Sequence, residues 1–229
     1  MLHETTDNMN LLLFIIVQLV LVPIFWHRGM KNRNVIDEDS KKRFSGEKVE
    51  RKTKLFLESN FKFPALQGVI FKTDYGMTSE SDIIQVNKKG IFVVECKYRN
   101  GDISGSAKSD VWEVYERDGT KTMPNTVRQN FYHIKAMSNY LKEQNVEIED
   151  IPVYNISVIF GEGKREQAKD INNSKIKVYS GWGELNELKK LPDTLDVNII
   201  KRIHKLLSHN VANEEEKKRH KELINEKYN

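Results

Sequence analysis

Residues 81–97 read SDIIQVNKKGIFVVECK, and the fold turns on this stretch. It has the pattern of a β-hairpin, with a first strand Asp82-Ile-Ile-Gln-Val86, a turn at Asn87-Lys-Lys-Gly90 and a second strand Ile91-Phe-Val-Val-Glu-Cys-Lys97. Side chains two apart share a face of a strand. Ile91, Val93, Glu95 and Lys97 therefore point one way, and Phe92, Val94 and Cys96 the other. Both faces are apolar as far as Val94, the mark of a central strand covered on both sides. Glu95 then stands at the end of a buried strand, where an unpaired carboxylate is costly. The same alternation puts Asp82 on the face of Ile84 and Val86. Two carboxylates and an ammonium at the ends of adjacent buried strands call for a divalent cation. Hard cations take carboxylate oxygens, and the lysine can then face a bound phosphate. A bare Glu95–Lys97 ion pair is the simpler reading, but a half-exposed pair contributes little and leaves the alignment with Asp82 unexplained.

Working outward, residues 68–73 (GVIFKT) read as a strand, and the loop 74–81 turns at Gly76. Glu80 in that loop reads as a solvated carboxylate. Upstream, a helix starts at Ser45, a good N-cap, with Phe44 placed to staple onto Val49. Val49, Thr53 and Phe56 form its apolar side, and Lys48, Arg51, Lys52 and Lys54 much of the rest. Glu47 in the first turn either complements the helix dipole or reaches a metal site.

Downstream, Asn100-Gly101 signals a turn. Residues 110–115 (DVWEVY) with Arg117-Asp-Gly-Thr120 suggest a second hairpin. Trp112 there either packs or closes over the site against a nucleobase. Residues 125–144 form an amphipathic helix capped by Asn125, with Val127, Phe131, Ile134, Ser138 and Leu141 as the core stripe. Gln129, His133, Ala136 and Tyr140 form a second stripe, either solvated or facing a site. The helix start with Arg128 and Gln129 is a natural phosphate neighbour. Strands follow at 153–160 (VYNISVIF) and 175–180 (KIKVYS), and helices at 183–190 and 193–209. The loop Gly161-Glu-Gly-Lys164-Arg165 is glycine-rich but lacks the Gly-Lys-Ser/Thr ending of a P-loop. Lys164 and Arg165, with Lys48 and Arg128, are candidate phosphate-backbone contacts, which carry no base code. The tail from Asn213 has Glu214/Lys218 and Glu215/Arg219 at i,i+4 and reads as a solvated helix.

The formal net charge of +4 and a pI of about 8.9 are compatible with a nucleic-acid partner. Cys96 is the single cysteine, which excludes an intrachain disulfide and a cysteine zinc cluster. Residues 9–26 (MNLLLFIIVQLVLVPIFW) are uncharged and of membrane length. Glu4 and Asp7 precede them, and no small-x-small cleavage site follows, so the run reads as an anchor and not as a signal peptide. Arg28, Lys31 and Arg33 come next. By the positive-inside rule they keep the C-terminal domain in the cytoplasm, as a single-pass protein of the cell membrane. Residues 27–43 form a juxtamembrane linker with basic groups placed to rest on anionic lipid.

The order helix, three strands, helix, strand, with Asp82 and then Glu95-Cys-Lys97, resembles the PD-(D/E)xK phosphodiesterase superfamily. A nearer resemblance, across residues 44–144, is to the nuclease-related domain (NERD) family. It is carried by Ser45-Gly-Glu47, Ser81-Asp-Ile-Ile-Gln-Val86, Gly90-Ile-Phe-Val-Val-Glu-Cys-Lys97, Gly101-Asp-Ile-Ser-Gly105, Trp112 and the segment from Pro124 to Gln129. The resemblance implies an α/β, restriction-endonuclease-like core over 44–209, a central mixed sheet flanked by helices. That core would lie behind one transmembrane helix (9–26) and the linker (27–43), with a charged helical tail at 210–229. It implies that Asp82, Glu95 and the Cys96 backbone carbonyl hold Mg²⁺ or Mn²⁺, and that Lys97 orients the attacking water and stabilises developing charge. Gln129 matches a helix glutamine near the metal-site water in related branches, and His133 stands where those branches carry a tyrosine. Glu47 matches an acidic helix position, and Ser81 replaces the proline of the superfamily name. The expectation is a membrane-anchored, metal-dependent nuclease acting on nucleic acid, DNA ahead of RNA, at the cytoplasmic face, where incoming foreign DNA would be met. The alternative is a catalytically inactive nucleic-acid or protein-binding module tethered to the membrane. The intact acid-acid-lysine set favours the enzyme. Oligomeric state is not legible in these features.

Overall fold

Asn87 and Gly90 flank a two-residue turn, and the Asn87 side chain accepts the Lys89 N–H (2.8 Å), so the central hairpin closes as its sequence pattern requires. A computed structural model describes residues 46–73, 77–164, 173 and 175–228. The apolar run at 9–26, the linker at 27–43, the Ser45 cap, the Gly76 turn and Arg165 lie outside the described residues. Among the described residues no helix is long and apolar enough to cross a membrane.

Helix α1 covers residues 46–61. Strands β1 (Ala65–Lys72), β2 (Thr78–Asn87) and β3 (Gly90–Tyr98) follow as an antiparallel meander. A small antiparallel sheet comes next, made of β4 (Asp102–Ser104), β5 (Val111–Glu116) and β6 (Gly119–Pro124). Helix α2 (Thr126–Glu143) returns the chain to β7 (Val153–Phe160), which lies parallel to β3, and β8 (Ile176–Tyr179) adds to β7 in parallel. A 3-10 helix (Glu184–Lys190), α3 (Val197–Ser208) and α4 (Glu214–Tyr228) complete the chain. The main sheet has the order β1-β2-β3-β7-β8 and is mixed, with β3 at its centre.

Helices cover both faces of this sheet, which is why β3 is apolar on both. Phe92, Val94 and Cys96 pack with Val49 and Leu57 of α1 and with Leu185 and Leu188 of the 3-10 helix. Ile91 and Val93 pack with Ala136, Met137 and Leu141 of α2 and with Ile200, Ile203 and Leu207 of α3. The small sheet buries one face only. Ile103, Trp112, Val114 and Met123 pack against Val127, Ile159 and Val178. Trp112 is fully buried and donates its indole N–H to the Ser106 carbonyl (3.0 Å), so it packs and does not close over a ligand. Gly105 lies under its ring: a Cβ there would stand 2.0 Å from Trp112 Cδ1.

The alternation expected for β2 slips by one residue. Ile84 faces α2 and α3, and Ile83 faces α1. Strict alternation would send Ser81 and Ser79 to the α1 side. Instead they pair with Val69 and Phe71, which lie in the core on the α2 side, and directly opposed residues share a face. The slip falls at Asp82, opposite Gly68, whose φ of 64° is one that L side chains rarely adopt. Asp82 therefore does not simply share the face of Ile84 and Val86. The irregularity ends the β2–β3 ladder at Ile83–Val94 and frees the Asp82 carboxylate to turn toward β3.

Helix α2 is rotated from the expected stripe. Its buried residues are Thr126, Val127, Asn130, His133, Ala136, Met137 and Leu141, whereas Phe131 is 60% exposed. A buried polar network sets this rotation. Asn130 Nδ2 donates to the Val93 carbonyl (2.8 Å) and Asn155 Oδ1 (3.0 Å), and Asn155 Nδ2 donates to the Val127 carbonyl (2.8 Å). A hydrophobic count cannot find such a stripe, because its phase is set by amides. Replacing Asn130 by Ala leaves buried acceptors unpaired and is expected to cost about 2–3 kcal/mol in urea unfolding. A loss under about 0.5 kcal/mol, the scale of an ordinary surface change, would contradict the network's role.

Candidate active site

Four elements converge where β2 and β3 lose their ladder. Asp82 Oδ2 accepts the Cys96 N–H at 2.7 Å, taking the place of a β2 backbone partner. A strand turns the N–H and C=O of one residue to the same edge, so the Cys96 carbonyl also faces the Asp82 side. One residue to either side, Glu95 and Lys97 point onto the α2 face. Glu95 is 1% exposed. Lys97 Nζ lies 2.5 Å from Glu95 Oε1, and His133 Nε2 of α2 lies 3.4 Å from Oε2. Both carboxylate oxygens are buried, with these two side chains as their partners. His133 Nδ1 is in turn 2.7 Å from Ser79 Oγ. Beside these groups opens a cleft of about 650 Å³, whose walls include Asp82, Ser79, Arg128, Gln129, His133 and His220.

The electrostatics separate the two carboxylates. Burial, then the charge on Glu95, pushes Asp82 well above the usual carboxylate range. Burial also works against ionised Glu95, but Lys97 and His133 outweigh it and hold its carboxyl below that range. Burial opposes the Lys97 ammonium, and the charges of Glu95 and Asp82 prevail and raise its pKa. A third carboxylate belongs to the set. Glu50 of α1 is pushed up first by burial and then by Glu80 and Glu95, against a 3.1 Å hydrogen bond from Gln67 Nε2. Three carboxylates thus share one ammonium, and two of them resist ionisation. A divalent cation relieves that repulsion, and the hard oxygens of Asp82 and Glu95 suit Mg²⁺ or Mn²⁺. Among the described residues no three His, Cys, Asp or Glu side chains stand close enough to hold a cation together. Two carboxylates with a backbone carbonyl, such as that of Cys96, are the set that fits. The Cys96 thiol takes no part: it lies in the core on the α1 side, and burial pushes its pKa well up.

Asp82, Glu95 and Lys97 are therefore brought together, and Gln129 shares the cleft wall with Asp82. Glu47 is not. It is exposed on α1, and Glu50, one turn further, is the helix carboxylate whose charge reaches Asp82. The sequence carried a signal for this, since Glu50 is the one acid within KVERKTK (48–54). Arg128 lines the cleft and is ion-paired with Asp110. The N–H groups of Val127 and Arg128 are taken by Asn125 Oδ1, so only side chains at this helix start are left to meet a phosphate. Lys48 and Lys164 are exposed and do not line the cleft. His133 is buried and not solvated, and Glu80 borders the cleft with His220 Nε2 at 3.6 Å. Ser79, Gln67 and His220 have no marker in the sequence, because each reaches the site through a tertiary contact.

A mixed α/β sheet with an acid-acid-lysine set on two adjacent strands, where their ladder stops, defines a candidate nuclease-type site. The family model described as "Nuclease-related domain" matches residues 45–160, and the chain belongs to the nuclease-related domain family. An uncharacterized protein of Bacillus anthracis is 32% identical over 100 residues, 44% of this chain and 47% of that protein. The matched stretch thus spans about half the length of that relative. No solved structure matches the chain.

The raised pKa of Asp82 has a stability consequence. The folded state holds this proton more tightly than the unfolded chain. The resulting stabilisation is complete below the ordinary aspartate pKa and is lost as pH rises through the raised value. Asp82→Asn keeps an acceptor for the Cys96 N–H and removes the penalty. Without metal at neutral pH it should melt about 2–4 °C above wild type, a gap that closes in acid. Adding Mg²⁺ should raise the melting temperature of wild type and leave that of the variant unmoved.

Proposed function

We propose that this chain is a metal-dependent phosphodiesterase that hydrolyses nucleic acid, with DNA as the preferred substrate. Family membership supports a nuclease-like activity. The observation that carries the specific reading is the buried Glu95 carboxylate set beside Asp82 and paired with Lys97. A divalent cation, when bound, lowers the pKa of a coordinated water and polarises the phosphate. Asp82 and Glu95 offer it carboxylate oxygens, and the Cys96 carbonyl faces the same side. The Lys97 ammonium, kept protonated by its two acidic neighbours, is placed to orient a water and to stabilise negative charge on the phosphate. Gln129 and Arg128 form the wall of the cleft along which a phosphodiester would lie.

The uncharged run at 9–26 and the basic residues after it support an anchor in the cell membrane with this domain on the cytoplasmic side. A nuclease held there would meet incoming foreign DNA first. One observation favours the alternative of a binding module at the membrane: Lys97 Nζ already occupies the approach to Glu95 Oε1.

Cleavage of plasmid, linear duplex, single-stranded DNA and RNA by the full chain, with Mg²⁺, Mn²⁺ or EDTA, separates the two. Metal-dependent cutting is expected, and Glu95→Gln and Lys97→Ala should each lower it by about 10²-fold or more. Binding without cutting in every metal lane would establish the module instead. In the same assay Glu50→Gln should weaken cleavage by about tenfold, as loss of a supporting carboxylate does, whereas Glu47→Gln should leave it unchanged.

A further inference from the structure

The family match ends at residue 160, yet the end of the chain reaches the strand pair that presents Asp82. The segment before α4 docks on β1 beside the irregular Gly68. Ile70 N–H donates to the Asn210 carbonyl (2.8 Å), Val211 bridges Val69, and Ala212 N–H donates to the Gly68 carbonyl (2.9 Å). Asn213 and Glu216 then cap α4 reciprocally, each side chain accepting the other's backbone N–H at 2.9 Å. The Lys217 stem lies over Gly68, its Cε 3.1 Å from where a Cβ would stand. One turn on, His220 is 7% exposed. Its Nδ1 is 2.6 Å from Thr78 Oγ1, and its Nε2 is 3.6 Å from Glu80 Oε2. Burial above all lowers its pKa, and the ring shares a hydrogen bond with the Thr78 hydroxyl.

Residues 78–80 lead directly into Asp82. His220 of α4 contacts Thr78 and Glu80, and His133 of α2 holds Ser79 between them. β1 pairs with Thr78–Ser81 and with Ile83, but the β2–β3 ladder stops at Ile83, so on the β3 side the segment ahead of Asp82 is held by side-chain contacts. We infer that His220 is a positioning residue: α4, through its contacts with Thr78 and Glu80, holds the start of β2 in the facing that turns Asp82 toward the Cys96 N–H and the cleft. This assigns a functional role to the C-terminal helix, which is exposed along most of its length apart from His220. It rests on the proposed metal site for its consequence, but not for its test.

The test compares full-length wild type with His220→Ala, with His220→Asn, whose amide can still meet Thr78 Oγ1, and with Lys218→Ala on the exposed face of α4. The first readout is amide hydrogen exchange at Cys96, whose N–H is protected only while Asp82 keeps its pose. His220→Ala should exchange about tenfold faster there, with Phe92 and Val94 unchanged, while His220→Asn and Lys218→Ala stay near wild type. The second is Mn²⁺ binding against turnover. His220→Ala should weaken Mn²⁺ about tenfold and retain most of kcat at saturating metal. Unchanged Cys96 protection in folded His220→Ala overturns the inference. So does faster exchange spread along all of β3, which would mean packing alone. If wild type neither binds Mn²⁺ nor cuts, the proposed function fails, and the exchange readout still decides the role of His220.

Discussion

The site depends on a single hydrogen bond in an unusual place, the Cys96 N–H donating to a side-chain carboxylate where a strand backbone would normally receive it. Buried backbone N–H groups must be paired, so β3 can leave its ladder only if something else accepts. Asp82 does so because β1 and β2 change facing together at Gly68 and Asp82 while keeping their register. The cost of breaking the ladder and the aim of the carboxylate are thus met by one contact. The two neighbours of Cys96 then project onto the α2 face together.

Charge is arranged around that contact in a way that a stable core alone would not require. Glu95 is held ionised by Lys97 and His133, while Asp82 and Glu50 are pushed toward their neutral forms by burial and by their acidic neighbours. Carboxyl groups driven apart in pKa within one small space are a recurring sign of functional chemistry.

Two helices hold the β2 segment ahead of Asp82 by matching means, a histidine against a hydroxyl on one strand residue and near a carboxylate. His133 links Ser79 to Glu95, and His220 links Thr78 to Glu80. The first histidine comes from the crossover helix between the two central parallel strands. The second comes from the last helix of the chain, beyond the family match. A site built on strand ends therefore draws its rigidity from elements far apart in sequence, as functional groups held by a surrounding shell generally do.

The hairpin, the two-sided burial of β3, the crossover helix and the two later strands were legible in residue order, because they depend on periodicity and turn chemistry within a few residues. The convergence of Asp82 with Glu95 and Lys97 was legible for the same reason, since a short turn brings the ends of two paired strands together. Other features were not. The rotation of α2, which buries His133 and exposes Phe131, follows from Asn130 reaching the Val93 carbonyl across the sheet. That Glu50 and not Glu47 approaches Asp82 follows from how α1 lies on the sheet, and the burial of His220 from a helix docked on strands more than a hundred residues earlier. Sequence by itself determined the local alternation of polar and apolar groups, and with it the elements. Tertiary structure decided which polar groups face one another, because buried hydrogen bonds and charge pairs select partners by position in space and leave no period along the chain.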